Sequence, residues 1–183
     1  MSRLGRKPIL LDTGVKVNIS DNVVNVEGQK GKATLKLDNP KVYVEVDDGK
    51  VYVKRRSDDK EAKMYHGLYR SLLNNMIIGV SKGFSVELDI VGLGYKGSVQ
   101  SDSNTLVLTV GYSHPVYYKP PDGVSVSMKG TTRIVVEGID KAKVGQVAAD
   151  LVKIRFPDSY KGAGIRYAGE QLKLKPGKAA KKK

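Results

Sequence analysis

The chain has 183 residues, 40% of them hydrophobic, and carries 32 Lys and Arg against 19 Asp and Glu, a net charge of +13. That length allows one domain or two small ones, and the charge favours a polyanionic partner, either nucleic acid or an anionic membrane surface. The absence of cysteine excludes disulfides, thiolate zinc sites and cysteine nucleophiles.

The basic start, Met1 to Pro8, is followed by an apolar run of only Ile9, Leu10 and Leu11. A secretory segment needs roughly 7–15 apolar residues and a membrane span roughly 20, so a soluble, cytoplasmic protein is expected. Val15–Ile19 and Val23–Glu27 alternate apolar and polar residues around Ser20-Asp-Asn22, the pattern of a hairpin. Val42–Val46 and Val51–Lys54 do the same around Asp47-Asp-Gly-Lys50, where a glycine after Asp supplies the positive φ of a tight turn. From Asp59 the period changes. Met64, Leu68, Leu72 and Met76, with Tyr65, Tyr69 and Leu73 beside them, predict a helix with one apolar stripe.

The second half repeats this order. Phe84–Val91, Thr105–Val110, Val124–Val126 and Ile134–Glu137 read as strands. A helix follows from about Lys141, capped by Asp140, with Val144, Val147, Ala148, Leu151 and Ile154 on one side and Pro157 ending it. The halves overlay with Lys30-Gly31 on Lys96-Gly97, Val51–Val53 on Ile134–Val136, Leu68…Leu72-Leu73 on Val147…Leu151-Val152, and Lys82-Gly83 on Lys161-Gly162. The expected fold is α+β: two similar domains from internal duplication, each a small, mainly antiparallel sheet with one helix packed on a face. They span residues 1–82 and 83–172, and a basic tail, 173–183, follows.

Gly92-Leu-Gly-Tyr-Lys-Gly97 matches G-x-G-x-x-G, but a strand-and-turn pattern follows where a dinucleotide fold needs a helix. The glycines predict a bulge or tight bend that displays Tyr95 and Lys96. His66 and His114, the only histidines, lie in different halves without metal-ligand spacing. No nucleophile, base, phosphate loop, metal site or cofactor is expected, so no catalysis is either. A docking body for an RNA-processing enzyme would lack its catalytic residues. A membrane protein held by its lysines would lack an amphipathic anchor.

The charge is unevenly placed: residues 153–183 hold ten cations against Asp158 and Glu170. Lys54-Arg55-Arg56 stands open between a solvated strand end and an RNA contact. Segment 157–167, Pro-Asp-Ser-Tyr-Lys-Gly-Ala-Gly-Ile-Arg-Tyr, is more specific, with two glycines, two cations and two tyrosines directly after Lys153 and Arg155. Cations bind phosphates, glycines let a chain approach closely, and tyrosines stack on bases or bond a 2′-hydroxyl. The tail lysines have too few apolar neighbours to order on their own.

At these residues the chain resembles the bacterial form of large-subunit ribosomal protein six. Ser2-Arg-Leu-Gly-Arg-Lys-Pro-Ile9 resembles the family's start. His66-Gly67, Arg70–Leu73, Asn75-Met76, Gly79-Val80 and Gly83-Phe84 resemble its first helix and linker. Val91–Tyr95, Gly111-Tyr-Ser-His-Pro-Val116 and Tyr160–Tyr167 resemble its second domain. The resemblance implies two α+β domains bound to 23S rRNA near the stalk base and factor-binding region. Neighbouring large-subunit proteins and translation factors are expected around them, with neither a membrane nor a small-molecule substrate. It assigns rRNA contacts to Lys153, Arg155, Tyr160, Lys161, Gly162, Gly164, Arg166, Tyr167, Lys173, Lys175 and Lys178. Ala163 departs from the lysine usual in the family, which removes a cation from the loop centre.

Overall fold

The structure is a computed structural model that describes residues 5–20, 22–100 and 104–177. Ser2–Leu4, Asp21 of the first expected turn, and Lys178 with the lysines after it lie outside the described residues. The chain divides into two compact units, Met1–Phe84 and Ser85–Lys183. Both are α+β, with a run of strands followed by one helix and, in the second, by one further strand.

In the first unit, β1 (Ile9–Leu10), β2 (Lys16–Ser20), β3 (Val23–Gly28), β4 (Gly31–Lys36), β5 (Val42–Asp47) and β6 (Lys50–Arg55) precede α1 (Lys60–Ser81). They form two antiparallel sheets, β2-β3-β4 and β1-β6-β5, so one expected small sheet is two. Both predicted hairpins are present, with Ser20 opposite Val23 and Asp47 opposite Lys50. In the second, Asp48 and Gly49 have φ of 44° and 70°, the left-handed pair that a two-residue hairpin turn requires.

Alternation buries Val24 and Val26 of β3, Val42 and Val44 of β5, and Val51 and Val53 of β6. Helix α1 covers them with Ala62, His66, Tyr69, Leu73, Ile77 and Val80. Tyr69 and Leu73 of the predicted stripe are buried, but its leading row is not. Met64, at 61% exposure, and Leu68 and Leu72 face solvent. The buried side is chosen by hydrogen bonds to strand and loop backbone. The Tyr69 hydroxyl accepts from the N–H groups of Asp38 and Asn39 at 3.0 and 3.3 Å. His66 Nε2 lies 2.8 Å from the Val53 carbonyl. Burying Leu68 and Leu72 instead would leave those backbone groups unsatisfied.

In the second unit, β7 (Phe84–Val91), β8 (Lys96–Gln100), β9 (Thr105–Thr109), β10 (Val116–Tyr118), β11 (Val124–Lys129) and β12 (Arg133–Gly138) precede α2 (Lys141–Ile154), and β13 (Gly164–Tyr167) follows it. The sheets run β10-β9-β8 and β11-β12-β7-β13. Asp140 caps α2 as expected, its side chain accepting from Ala142 N at 2.8 Å, and Val144, Val147, Ala148 and Leu151 are buried. Burial aligns Tyr69 and Leu73 of α1 with Val147 and Leu151 of α2, one residue out of step with the overlay expected from sequence.

The Gly92–Gly97 run leads from β7 into β8, and no helix opens there. Tyr95 is tucked against Gly92 and Gly111, where an added Cβ would meet its ring and its hydroxyl, respectively, at 2.6 Å. Lys96 is displayed at this bend as expected, but its companion is Leu93, not Tyr95.

Candidate nucleic-acid interface

Helix α2 ends at Ile154 because Arg155 is already extended, with φ −148° and ψ 92°. Its carbonyl accepts from Ile165 N at 2.8 Å, so the chain leaving the helix is drawn onto β13. Strand β13 in turn pairs with β7, placing Ile165 opposite Ile90 in the core and Arg166 opposite Asp89. Alternation sends the Arg166 side chain to the opposite face from Ile165. Between these ends, residues 156–163 form a closed loop. Asp158 N donates to the Ala163 carbonyl and Gly162 N to the Asp158 carbonyl, each at 2.9 Å. The Asp158 carboxylate accepts from Lys161 N at 2.8 Å and Tyr160 N at 3.2 Å.

Those N–H groups, Lys161 first, hold the Asp158 pKa below the ordinary carboxylate value. A carboxyl with a depressed folded pKa contributes stability above its unfolded pKa and loses it as pH falls through the folded one. Acidification below the usual carboxylate range is therefore expected to loosen this loop. Asp158→Ala should do so at neutral pH, with faster amide hydrogen exchange at Lys161 and unchanged protection at Leu151. Equal exchange at Lys161 in the two proteins would contradict this.

Gly162 and Gly164 are both buried, so their backbones serve the loop itself. A Cβ on Gly164 would lie 2.7 Å from the main chain of Phe156 and Pro157. Tyr160, Lys161, Tyr167 and Lys173 are exposed, and Arg166 is half-buried with its Nε lacking a hydrogen-bond partner among the described residues. Ala163 keeps its backbone role, and its side chain is half-buried. The tail departs from expectation. Lys175 N donates to the Ser159 carbonyl at 2.8 Å, its Nζ lies 5.9 Å from the Tyr160 ring centroid, and Leu172 and Leu174 lie beside Gly162. Residues up to Gly177 thus include chain folded back on the loop, because two leucines find apolar contact there.

Sequence reasoning missed the partners of Arg155. The Arg155 guanidinium lies 5.2 Å from the Tyr112 ring centroid, and Tyr112 stacks on His114. The Tyr112 hydroxyl donates to the Ile154 carbonyl at 2.8 Å, satisfying one free acceptor at the end of α2. The Tyr112 and Tyr95 hydroxyls raise the Arg155 pKa further, which fixes its charge. The Gly111-Tyr-Ser-His-Pro stretch therefore has a duty: it caps α2 and holds this arginine.

The cations differ in how they are held. Lys54, Arg55, Lys129 and Arg133 have carboxylate partners in Glu45, Asp58, Glu87 and Asp89, and Arg56 lies over Tyr43. The Lys54-Arg55-Arg56 cluster is thus engaged within its own unit. Lys153 has Asp150 at 3.8 Å. Among the described residues, Arg155, Lys161, Arg166, Lys173 and Lys175 form no ion pair. Five uncompensated cations on one connected loop, strand and tail make a surface suited to phosphates.

Comparison with known proteins gives this surface a setting. A family model described as ribosomal protein L6 matches residues 13–83 and again residues 91–168, one match in each unit. Proteins named large ribosomal subunit protein uL6 are similar over essentially the whole chain. That of Thermoanaerobacter sp. (strain X514) is 50% identical over 183 residues, covering 100% of both chains. That of Hydrogenobaculum sp. (strain Y04AAS1) is 48% identical over 182 residues, covering 100% of this chain and 98% of the relative. That of Borrelia hermsii (strain HS1 / DAH) is 47% identical over 183 residues, covering 100% of each.

Proposed function

The chain belongs to the ribosomal protein L6 family, whose members are structural and not enzymes, and from that premise we propose that it binds 23S rRNA within the large ribosomal subunit through residues 153–175. It works in the cytoplasm, in the ribosome, near the stalk base and factor-binding region, among neighbouring large-subunit proteins and within reach of translation factors. It makes and breaks no bond. Its part in translation is to hold folded RNA in place.

Lys16, Lys30, Lys96 and Lys143 also lack an ion pair among the described residues. The observation that carries this reading is therefore the gathering of five such cations, Arg155, Lys161, Arg166, Lys173 and Lys175, on one connected loop, strand and tail. Within a protein, a cation with no counter-ion gains little from its position. Against RNA it neutralises phosphate and releases condensed counterions. The fold adds shape. Arg155 is held by Tyr112 and Lys175 lies near Tyr160, so less freedom is lost on contact than from flexible side chains. Lys178 and the lysines after it add charge from outside the described residues.

Binding of the full chain to a 23S rRNA transcript across a salt series tests the reading. Lys161→Ala with Arg166→Ala should weaken binding roughly tenfold or more. The slope of log affinity against log salt should flatten by roughly 1.4–1.8 when two phosphates are no longer neutralised. Thermal unfolding should show a folded protein. An unchanged slope would mean that these two side chains do not meet phosphate.

A further inference from the structure

Beside the Arg155–Tyr112 pair lies a hollow of about 330 Å³, lined by Tyr112, Lys153, Ile154, Arg155, Phe156 and Asp158. That is within the roughly 300–1,000 Å³ of sites that hold small organic groups. Phe156 is 63% exposed, although its main chain is held on both sides. It follows Arg155, whose carbonyl is bonded to Ile165 N. It precedes Pro157, and its own carbonyl lies where Gly164 admits no Cβ. A large apolar ring held out to solvent on a fixed backbone is a stacking platform with no aromatic partner among the described residues.

We infer that this hollow receives one unstacked nucleobase of the bound RNA, its ring face against Phe156 and the Arg155–Tyr112 pair. The inference rests on the rRNA-binding reading and adds to it a mode of recognition that phosphate contacts do not supply. Three features select a base over other groups. Aromatic rings and guanidinium planes are the surfaces on which extruded bases stack. Asp158 lines the hollow, and its carboxylate, whose Oδ2 is taken by the loop's own N–H groups, repels a phosphate but leaves Oδ1 to accept from an N–H edge such as an exocyclic amine. Lys153, exposed at the rim, is placed to meet the phosphate of the same nucleotide.

The test uses the full chain and a 23S rRNA transcript. Phe156→Ala should weaken binding roughly five- to hundredfold, the range of one stacked base. Its salt slope should be unchanged, because every phosphate-binding cation is still present. Phe156→Trp should restore binding. Chemical probing should find one nucleotide whose reactivity changes with the wild-type protein and not with Phe156→Ala. Wild-type affinity for Phe156→Ala, or weaker binding with a parallel drop in slope, would overturn the base-binding inference and leave rRNA binding standing. Failure of the wild-type chain to bind the transcript would overturn both.

Discussion

Gly164→Ala is expected to destabilise the second unit by about 2–6 kcal/mol, through overpacking and backbone strain together. The added methyl would sit 2.7 Å from the carbonyl carbon and oxygen of Phe156 and from Pro157 Cα. None of these is the movable end of a side chain, and φ at this position is 154°, which L residues rarely adopt. Relief requires β13 to part from residues 155–157, breaking the Ile165–Arg155 hydrogen bond and dragging Ile165 out of the core. Chemical denaturation checks this: the midpoint should fall at constant m-value, and rRNA affinity should fall with it. Wild-type stability would mean that the joint between β13 and the helix end can shift at little cost.

Two truncations should separate shape from charge in the tail. Ending the chain at Gly177 removes Lys178, Lys181, Lys182 and Lys183 and should flatten the salt slope by roughly 0.7–0.9 for each phosphate these lysines neutralise. Ending it at Leu172 also removes Lys173, Leu174 and Lys175, and with them the hydrogen bond to Ser159 and the cation near Tyr160. The longer deletion should therefore weaken rRNA binding more than its added loss of charge accounts for, and should speed proteolysis between Ser159 and Gly162. Equal protease sensitivity in the two truncated chains would mean that the loop keeps its shape without the tail.

What the sequence disclosed depended on whether a signal was local. The β2–β3 and β5–β6 hairpins follow from alternation and turn residues, and α2 from its cap and apolar spacing. The apolar side of α1 followed only in part: Tyr69 and Leu73 were expected in it, but hydrophobicity ranks Met64, Leu68 and Leu72 above His66. Burial was decided by polar tips that reach the Val53 carbonyl and the N–H groups of Asp38 and Asn39. Strand β4 was missed although Gly31-Lys-Ala-Thr-Leu-Lys36 alternates, because only Ala33 and Leu35 supply its apolar side and no position in it is fully buried.

The interface shows the same limit. Its charge was visible as a run along the chain, and Lys161, Arg166 and Lys175 could be named from it. The pairing of Tyr112 with Arg155 joins residues far apart in sequence, and nothing near either one announces the other. Gly162 and Gly164 were rightly noticed as unusual, but the close approach that Gly164 permits is to Phe156 and Pro157 of the same chain. A glycine-rich loop does not reveal from sequence what will lie against it.

The pairing of β13 with β7 also sets an order of events during synthesis. The first unit has all its strands and its helix once Phe84 has emerged, and domains fold as units from the N-terminus. The second cannot complete its four-stranded sheet until Gly164–Tyr167 arrive to lie along Asp89 and Ile90. The same residues carry Arg166 and anchor the loop with Lys161. A nascent chain therefore carries one finished unit while the other still waits for its last strand, and the four-stranded sheet closes only once Tyr167 has been made.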